Sequence, residues 1–135
     1  MKTLVKLIFV FGMLAMISSC EKDEGKLPNI SFKSGGTYIS ADASVDKKAA
    51  ILIGIDASKA EDKDVLKKFN ISKSVNGGTP VSIVDKDLSG SEGDVFSFDF
   101  NTTNDTVVGQ KNNYTFTVTN RDGLSNQVGL TITVK

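Results

Sequence analysis

Three stretches of this chain alternate strictly between apolar and polar side chains. In residues 95–100, Phe96, Phe98 and Phe100 lie on one side. In residues 114–119, Tyr114, Phe116 and Val118 are separated by threonines. In residues 128–134, Val128, Leu130, Ile132 and Val134 are separated by Gly129, Thr131 and Thr133. A period of two puts every apolar side chain on one face of a pleated strand, and it cannot form the apolar stripe of a helix. Residues 49–57 repeat the pattern with Ile51, Ile53 and Ile55. Shorter runs surround Ile30 and Phe32, residues 37–39, a strand from about Leu66 to Val75, and residues 81–84. Turn residues part them: Gly35-Gly36, Asn76-Gly77-Gly78, and Asn120-Arg121-Asp122-Gly123. Residues 58–64 read as a turn or one helical turn, since Ser58-Lys59-Ala60-Glu61 fits a capping box, and 85–94 and 101–113 as polar loops. Seven or eight short antiparallel strands punctuated this way predict an all-β chain built as a sandwich.

Composition narrows the chemistry. The chain has 135 residues, 16 basic and 16 acidic groups, no His, no Trp and one Cys. That is room for one domain. A balanced charge gives no footprint for nucleic acid. Without His, a His-based triad and most zinc sites lack their ligands or bases. Gly35-Gly36 and Gly77-Gly78 lack the following helix and Lys of a phosphate-cradling loop. Glu92 and Asp94 could in principle do acid–base work, but strand neighbours point to opposite faces. No catalytic set and no cofactor emerge, and the sequence expectation is that the chain is not an enzyme.

The N-terminus has a separate logic. Lys2 and Lys6 precede an eleven-residue run without charge, LIFVFGMLAMI, at residues 7–17. It is shorter than the roughly 20 residues needed to span a bilayer, and suits a signal-peptide core. It ends in Ile17-Ser18-Ser19-Cys20, which resembles the lipobox of bacterial lipoproteins. The resemblance implies a signal peptide over residues 1–19, diacylglycerol on the Cys20 sulfur, and acylation (palmitate) of the new N-terminus. Residues 20–27, EKDEGKL behind the lipidated Cys20, then form a short flexible tether, with the sandwich domain at 28–135. Glu21, Asp23 and Glu24 resemble the surface-export signal of Bacteroidetes-type lipoproteins. The implied location is the outer membrane facing outward, with a periplasm-facing protein as the alternative.

The C-terminal half carries a second resemblance. Tyr114-Thr-Phe116-Thr-Val118, the Asn120–Gly123 turn, and Leu130-Thr-Ile132-Thr-Val134 look like the last hairpin of bacterial immunoglobulin-like domains. The resemblance implies an immunoglobulin-like β-sandwich. It also implies a tyrosine corner, in which the Tyr114 hydroxyl bonds to upstream backbone. Phe116 stands where antibody domains carry a Cys.

Other residues bear on function. Asp85, Asp87, Ser89 and Gly90 match the first half of an EF-hand calcium loop, but Phe96 replaces the closing Glu, so no tight metal site is expected. Asp105-Thr106-Val107 matches the short O-glycosylation motif of Bacteroidetes-type exported proteins, with Thr106 as acceptor. Tyr38 is the one aromatic that could serve as an exposed sugar platform, although a half-buried edge residue is the simpler expectation for it. Lys47-Lys48 and Lys67-Lys68 read as solvated charges. The resulting expectation is a non-catalytic cell-surface lipoprotein, a binding or structural module held by the Cys20 lipid, with an extracellular protein or glycan as partner. The alternatives are a glycan-binding accessory lipoprotein of a nutrient-uptake system and a fimbrial or adhesin component.

Overall fold

The computed structural model describes residues 25–135; the signal peptide expected over residues 1–19 and the expected lipid site Cys20 lie outside the described residues. The described chain is all-β, with eight strands. In order these are β1 (Asn29–Phe32), β2 (Ala43–Val45), β3 (Ala50–Ser58), β4 (Leu66–Val75), β5 (Val81–Asp87), β6 (Val95–Thr103), β7 (Lys111–Asn120) and β8 (Ser125–Val134). A single 3-10 turn, Gly90–Gly93, joins β5 to β6. One sheet is ordered β1-β3-β6, and the other β2-β8-β7-β4-β5.

The two sheets stack face to face in a sandwich-like arrangement. Alternation does the work: Ile51, Ile53, Ile55 and Ala57 of β3 face Phe69, Ile71, Tyr114, Phe116, Val118, Leu130 and Ile132 of the larger sheet in one buried cluster. Rings lock the sheets together. Phe69 packs on Phe96 with centroids 5.0 Å apart, Phe32 on Phe116 at 5.8 Å, and Phe100 on Tyr114 at 5.7 Å. The β4–β5 hairpin turns through Asn76 and Gly77, with φ of 50° and 73°, a conformation that Asn and Gly tolerate.

Several expectations need correction. The strands are not all antiparallel: β2 runs parallel to β8, with Ala43 opposite Ile132. It is a three-residue edge piece that reaches the larger sheet while its chain neighbours β1 and β3 stay in the smaller. Residues 37–39 form no strand; after the Gly35-Gly36 turn the chain returns alongside β3 on the β1 side, with one bond from Ile39 N to Leu52 O at 2.9 Å. The segment 85–94 is not one loop, because β5 continues to Asp87. Strands β6 and β7 likewise extend into the polar segment 101–113.

The N-terminal end of the domain is tied down at once. Asn120 Nδ2 donates to Lys26 O at 3.3 Å, and Asn126 Nδ2 donates to Pro28 O at 2.9 Å. Asn120 also donates to Asp64 Oδ2 at 2.6 Å and accepts from Leu124 N at 2.9 Å. Asp64 and Asn120 are each only 2% exposed. Asn120→Ala should therefore leave a buried carboxyl short of a donor and cost about 2–3 kcal/mol in urea unfolding. A loss below about 0.5 kcal/mol would show that the cluster does not hold this end together.

Candidate functional site

The outer face of the smaller sheet carries the most organised surface cluster. Gly54 sits at its centre, on β3, paired with Asp99 of β6. A Cβ at Gly54 would fall 2.6 Å from Tyr38 Cε1 and 2.7 Å from Lys33 Cδ. Having no side chain, Gly54 lets the Tyr38 ring and the Lys33 stem lie directly on the sheet. Lys33 Nζ donates to Asp99 Oδ1 at 2.7 Å, and the Tyr38 hydroxyl reaches both Asp99 oxygens at 3.1 Å. The Lys33 ammonium lies 5.7 Å from the Tyr38 ring centroid, within cation–π range. The bond from Lys33 holds the Asp99 carboxyl below its ordinary value, and the same bond raises Lys33. Tyr38 is thus half-buried and braced, not a free-standing platform.

A second polar cluster closes the end of the sandwich where β6 gives way to β7. Lys73 points inward from β4 and donates to Asp105 Oδ2 at 2.7 Å. Gln110 Nε2 donates to the same oxygen at 2.6 Å and to Asn112 Oδ1 at 2.8 Å. Burial is the largest single influence on the Lys73 ammonium and pulls it down, but the Asp105 bond together with the charges of Asp105 and Tyr114 and the Tyr114 bond outweighs it, and the net shift is upward. Asp105 is held below the usual 3.8, first by its bond from Lys73. Two buried atoms nearby, Asn104 Oδ1 and Asn112 Nδ2, find no partner among the described residues; an internal water is the ordinary way such groups are satisfied.

The Lys73–Asp105 pair sets a pH dependence. Asp105 has a depressed folded pKa, so its contribution is present above 3.8 and lost as pH falls through the lowered value. Lys73 has a raised one, so its contribution is present below 10.5 and lost as pH rises through the raised value. Asp105→Asn should flatten the acid limb of the stability profile. The loss at pH 7 should be about 1 kcal/mol or less, since the pair is partly exposed. An acid limb of unchanged steepness would contradict this.

The residues singled out in the sequence fall in different places. Asp85 and Asp87 lie on β5, exposed, with Asp85 opposite Asn70 and Asp87 opposite Lys68. Ser89 precedes the 3-10 turn and makes no side-chain cap bond. Alternate strand residues stand about 7 Å apart along one face, so these three are not gathered. Among the described residues no group of three or more His, Cys, Asp or Glu could hold a metal ion. Thr106 is exposed in the loop after β6, beside the engaged Asp105. Tyr114 is 1% exposed, and its phenol meets Lys73, not upstream backbone; the implied tyrosine corner is corrected, because Tyr114 stands mid-strand directly opposite Lys73. Sequence pattern alone does not reveal the Lys33–Tyr38–Asp99 brace. Its one sequence sign is Gly54, a glycine inside an otherwise isoleucine-rich strand.

No family model matches this chain, and no curated protein does. Solved structures do. The superoxide reductase (neelaredoxin) of Ignicoccus hospitalis superposes with a TM-score of 0.53 at 9% identity, covering 82% of this chain and 81% of that one. A variant of the same enzyme gives 0.56 at 9% identity, over 81% and 80%. A Bacteroides uniformis β-glucuronidase gives 0.51 at 11% identity, over 77% of this chain but 13% of that one. These likenesses overturn the expectation that the chain is not an enzyme, since chains of this fold include superoxide reductases. At such identities the likeness shows the fold alone and assigns no reaction.

Proposed function

We propose that this chain is a lipid-anchored outer-membrane protein that displays an immunoglobulin-like sandwich at the cell surface as a binding or structural module. The observation that carries the reading is the junction between anchor and fold. Cys20, in its lipobox-like setting, is followed within six residues by Lys26, whose carbonyl is already bound to Asn120. Six residues span at most about 20 Å, so the β7–β8 turn is held close to the bilayer. The loop carrying Thr106 and the Asn76-Gly77 turn then stand at the far end, about 30 Å further out along the ten-residue β7. The immunoglobulin-like reading is supported by the β7–β8 hairpin, with Phe116 at the centre of the core; the parallel β2–β8 pair is a departure from the all-antiparallel form.

Treating intact cells with proteinase K tests the reading. Loss of the domain without lysis is expected. Protection until the outer membrane is opened would place the domain in the periplasm and overturn surface display.

A glycan-binding accessory role in nutrient uptake is the second reading. The half-exposed Tyr38 ring beside Gly54, with Asp99 and Lys33 next to it, is what favours it, since sugars pack on aromatic rings and bond to flanking polar groups. Thr106 is the proposed O-glycan acceptor, because it is exposed at the outward end. A glycan mass increment on the purified protein should vanish in Thr106→Ala; an increment that persists would exclude that residue.

A further inference from the structure

The two sheets differ in width by two strands, three against five. On one side β6 ends the smaller sheet. Phe98 of β6 packs on Phe69 of β4 at 5.1 Å, which places β6 across from β4 and leaves β5 with no strand facing it. Register puts Val84 beside Ile71 and Lys86 beside Phe69. Ile71 and Phe69 are fully buried, so Val84 and Lys86 also face the interior. Yet Val84, Phe98 and Phe100 are only partly covered. An apolar strip therefore lies open along this side of the core.

The backbone beside that strip is unpaired. Lys59 N donates to Asp94 O at 3.0 Å, and Asn104 N donates to Ala49 O at 2.8 Å. These two bonds fix the phase of the β3–β6 ladder, because residues of an antiparallel pair alternate between bonded and non-bonded positions. Phe96, Phe98 and Phe100 bond to β3. Val95, Ser97, Asp99, Asn101 and Thr103 turn their N–H and C=O groups away from it. All five residues are exposed, and no strand among the described residues pairs with them.

Edge strands are usually protected by charge or by a bulge. The β5 edge has both, with a register shift at Ile71/Ser72 and the run Asp85-Lys86-Asp87. The β6 edge has neither. Its one charge, Asp99, leans back over Gly54 onto Lys33 and Tyr38. The brace on the outer face thus also clears the edge. Two ion pairs bound the open strip, Lys86–Glu92 at 3.0 Å and Lys73–Asp105 at 2.7 Å, and the lining between them is apolar.

We propose that the β6 edge is a docking site for an extended segment of another polypeptide, which adds a strand to the smaller sheet and lays apolar side chains over Phe98, Phe100 and Val84. Only a polypeptide backbone supplies the alternating donors and acceptors that a strand edge requires. The segment matches β6 in length, nine residues, with apolar residues at every second position. This rests on the reading of the domain as a binding module and names its class of partner.

The test uses the full chain in detergent micelles and a synthetic nine-residue peptide of alternating valine and threonine, flanked by lysines. Amide exchange at Ser97, Asp99 and Asn101 should slow about tenfold or more when the peptide is saturating. The same peptide, N-methylated on alternate residues to remove its pairing donors, should have no effect. Ser97→Pro removes an edge N–H that does not bond to β3, a change edge strands tolerate, and should weaken binding about tenfold. Unchanged exchange along β6, protection of β5 instead, or full binding of the methylated peptide would overturn the proposal. So would protection that rises with protein concentration in the absence of peptide, which would make a second copy the occupant. The methylated peptide uses the unmodified protein, so the test stands even if Ser97→Pro does not fold. A periplasm-facing protein would fail the protease test yet still bind the peptide, which keeps the two failures apart.

Discussion

Phe116→Ala should lose about 3–5 kcal/mol of stability in urea unfolding, the cost of deleting a buried aromatic side chain and leaving a cavity. Phe116 is 0% exposed. Its ring meets rings from both sheets: Phe32 at 5.8 Å, Phe100 at 6.2 Å and Phe69 at 6.4 Å. Around it β7 is paired on both sides, with Ile71 and Val128 opposite, so the strand cannot shift to fill the space. Alternation alone would predict the same loss for Phe98. The structure separates them, since Phe98 is only partly covered at the open side of the core. Phe98→Ala should cost about 1.5–2.5 kcal/mol, in proportion to the smaller area removed from water. Equal losses would mean that the β6 side of the core is closed, and that would also remove the apolar strip on which the strand-docking proposal depends.

That contrast shows what periodicity reports. Alternation marks which side of a strand faces inward, and so the strands β3, β6, β7 and β8 were legible from the residues alone. Whether an inward position is covered depends on what lies across the interior, which no local pattern records. The same limit explains the misread elements. Ala43-Ser44-Val45 is too short to show a period, and its parallel pairing is set by contacts with β8, nearly ninety residues away in sequence. Asp85, Lys86 and Asp87 look like loop residues because edge strands carry charge. Lys73 reads as an outward residue by chemistry, yet it points inward because Asp105 arrives from the other sheet to receive it. The Tyr38 brace depends on a coil beside β3 that lays the Tyr38 ring over Gly54. The lipobox-like motif is of another kind: its four residues form a local chemical pattern that requires no folded partner, and they lie outside the described residues.

Cys20→Ala should abolish fatty-acid labelling and shift the protein from the membrane fraction to the soluble one. The proposed anchor would be chemical, since each buried methylene of an attached chain contributes about 0.8 kcal/mol of membrane affinity and two or more chains make attachment lasting. No other thiol exists in the chain to take the lipid. The fold should not notice the change. Its N-terminal end is fixed by the Asn126 bond to Pro28 O and by the Asn120 bond to Lys26 O at the domain end of the tether. Among the described residues, none before Pro28 belongs to the core. Thermal melts of Cys20→Ala and the lipidated protein should therefore coincide, while their partition between fractions reverses. Labelling that survives the substitution would remove Cys20 as the attachment point. A large fall in melting temperature with labelling lost would mean that the lipidated segment packs on the domain, and that the tether is part of the fold.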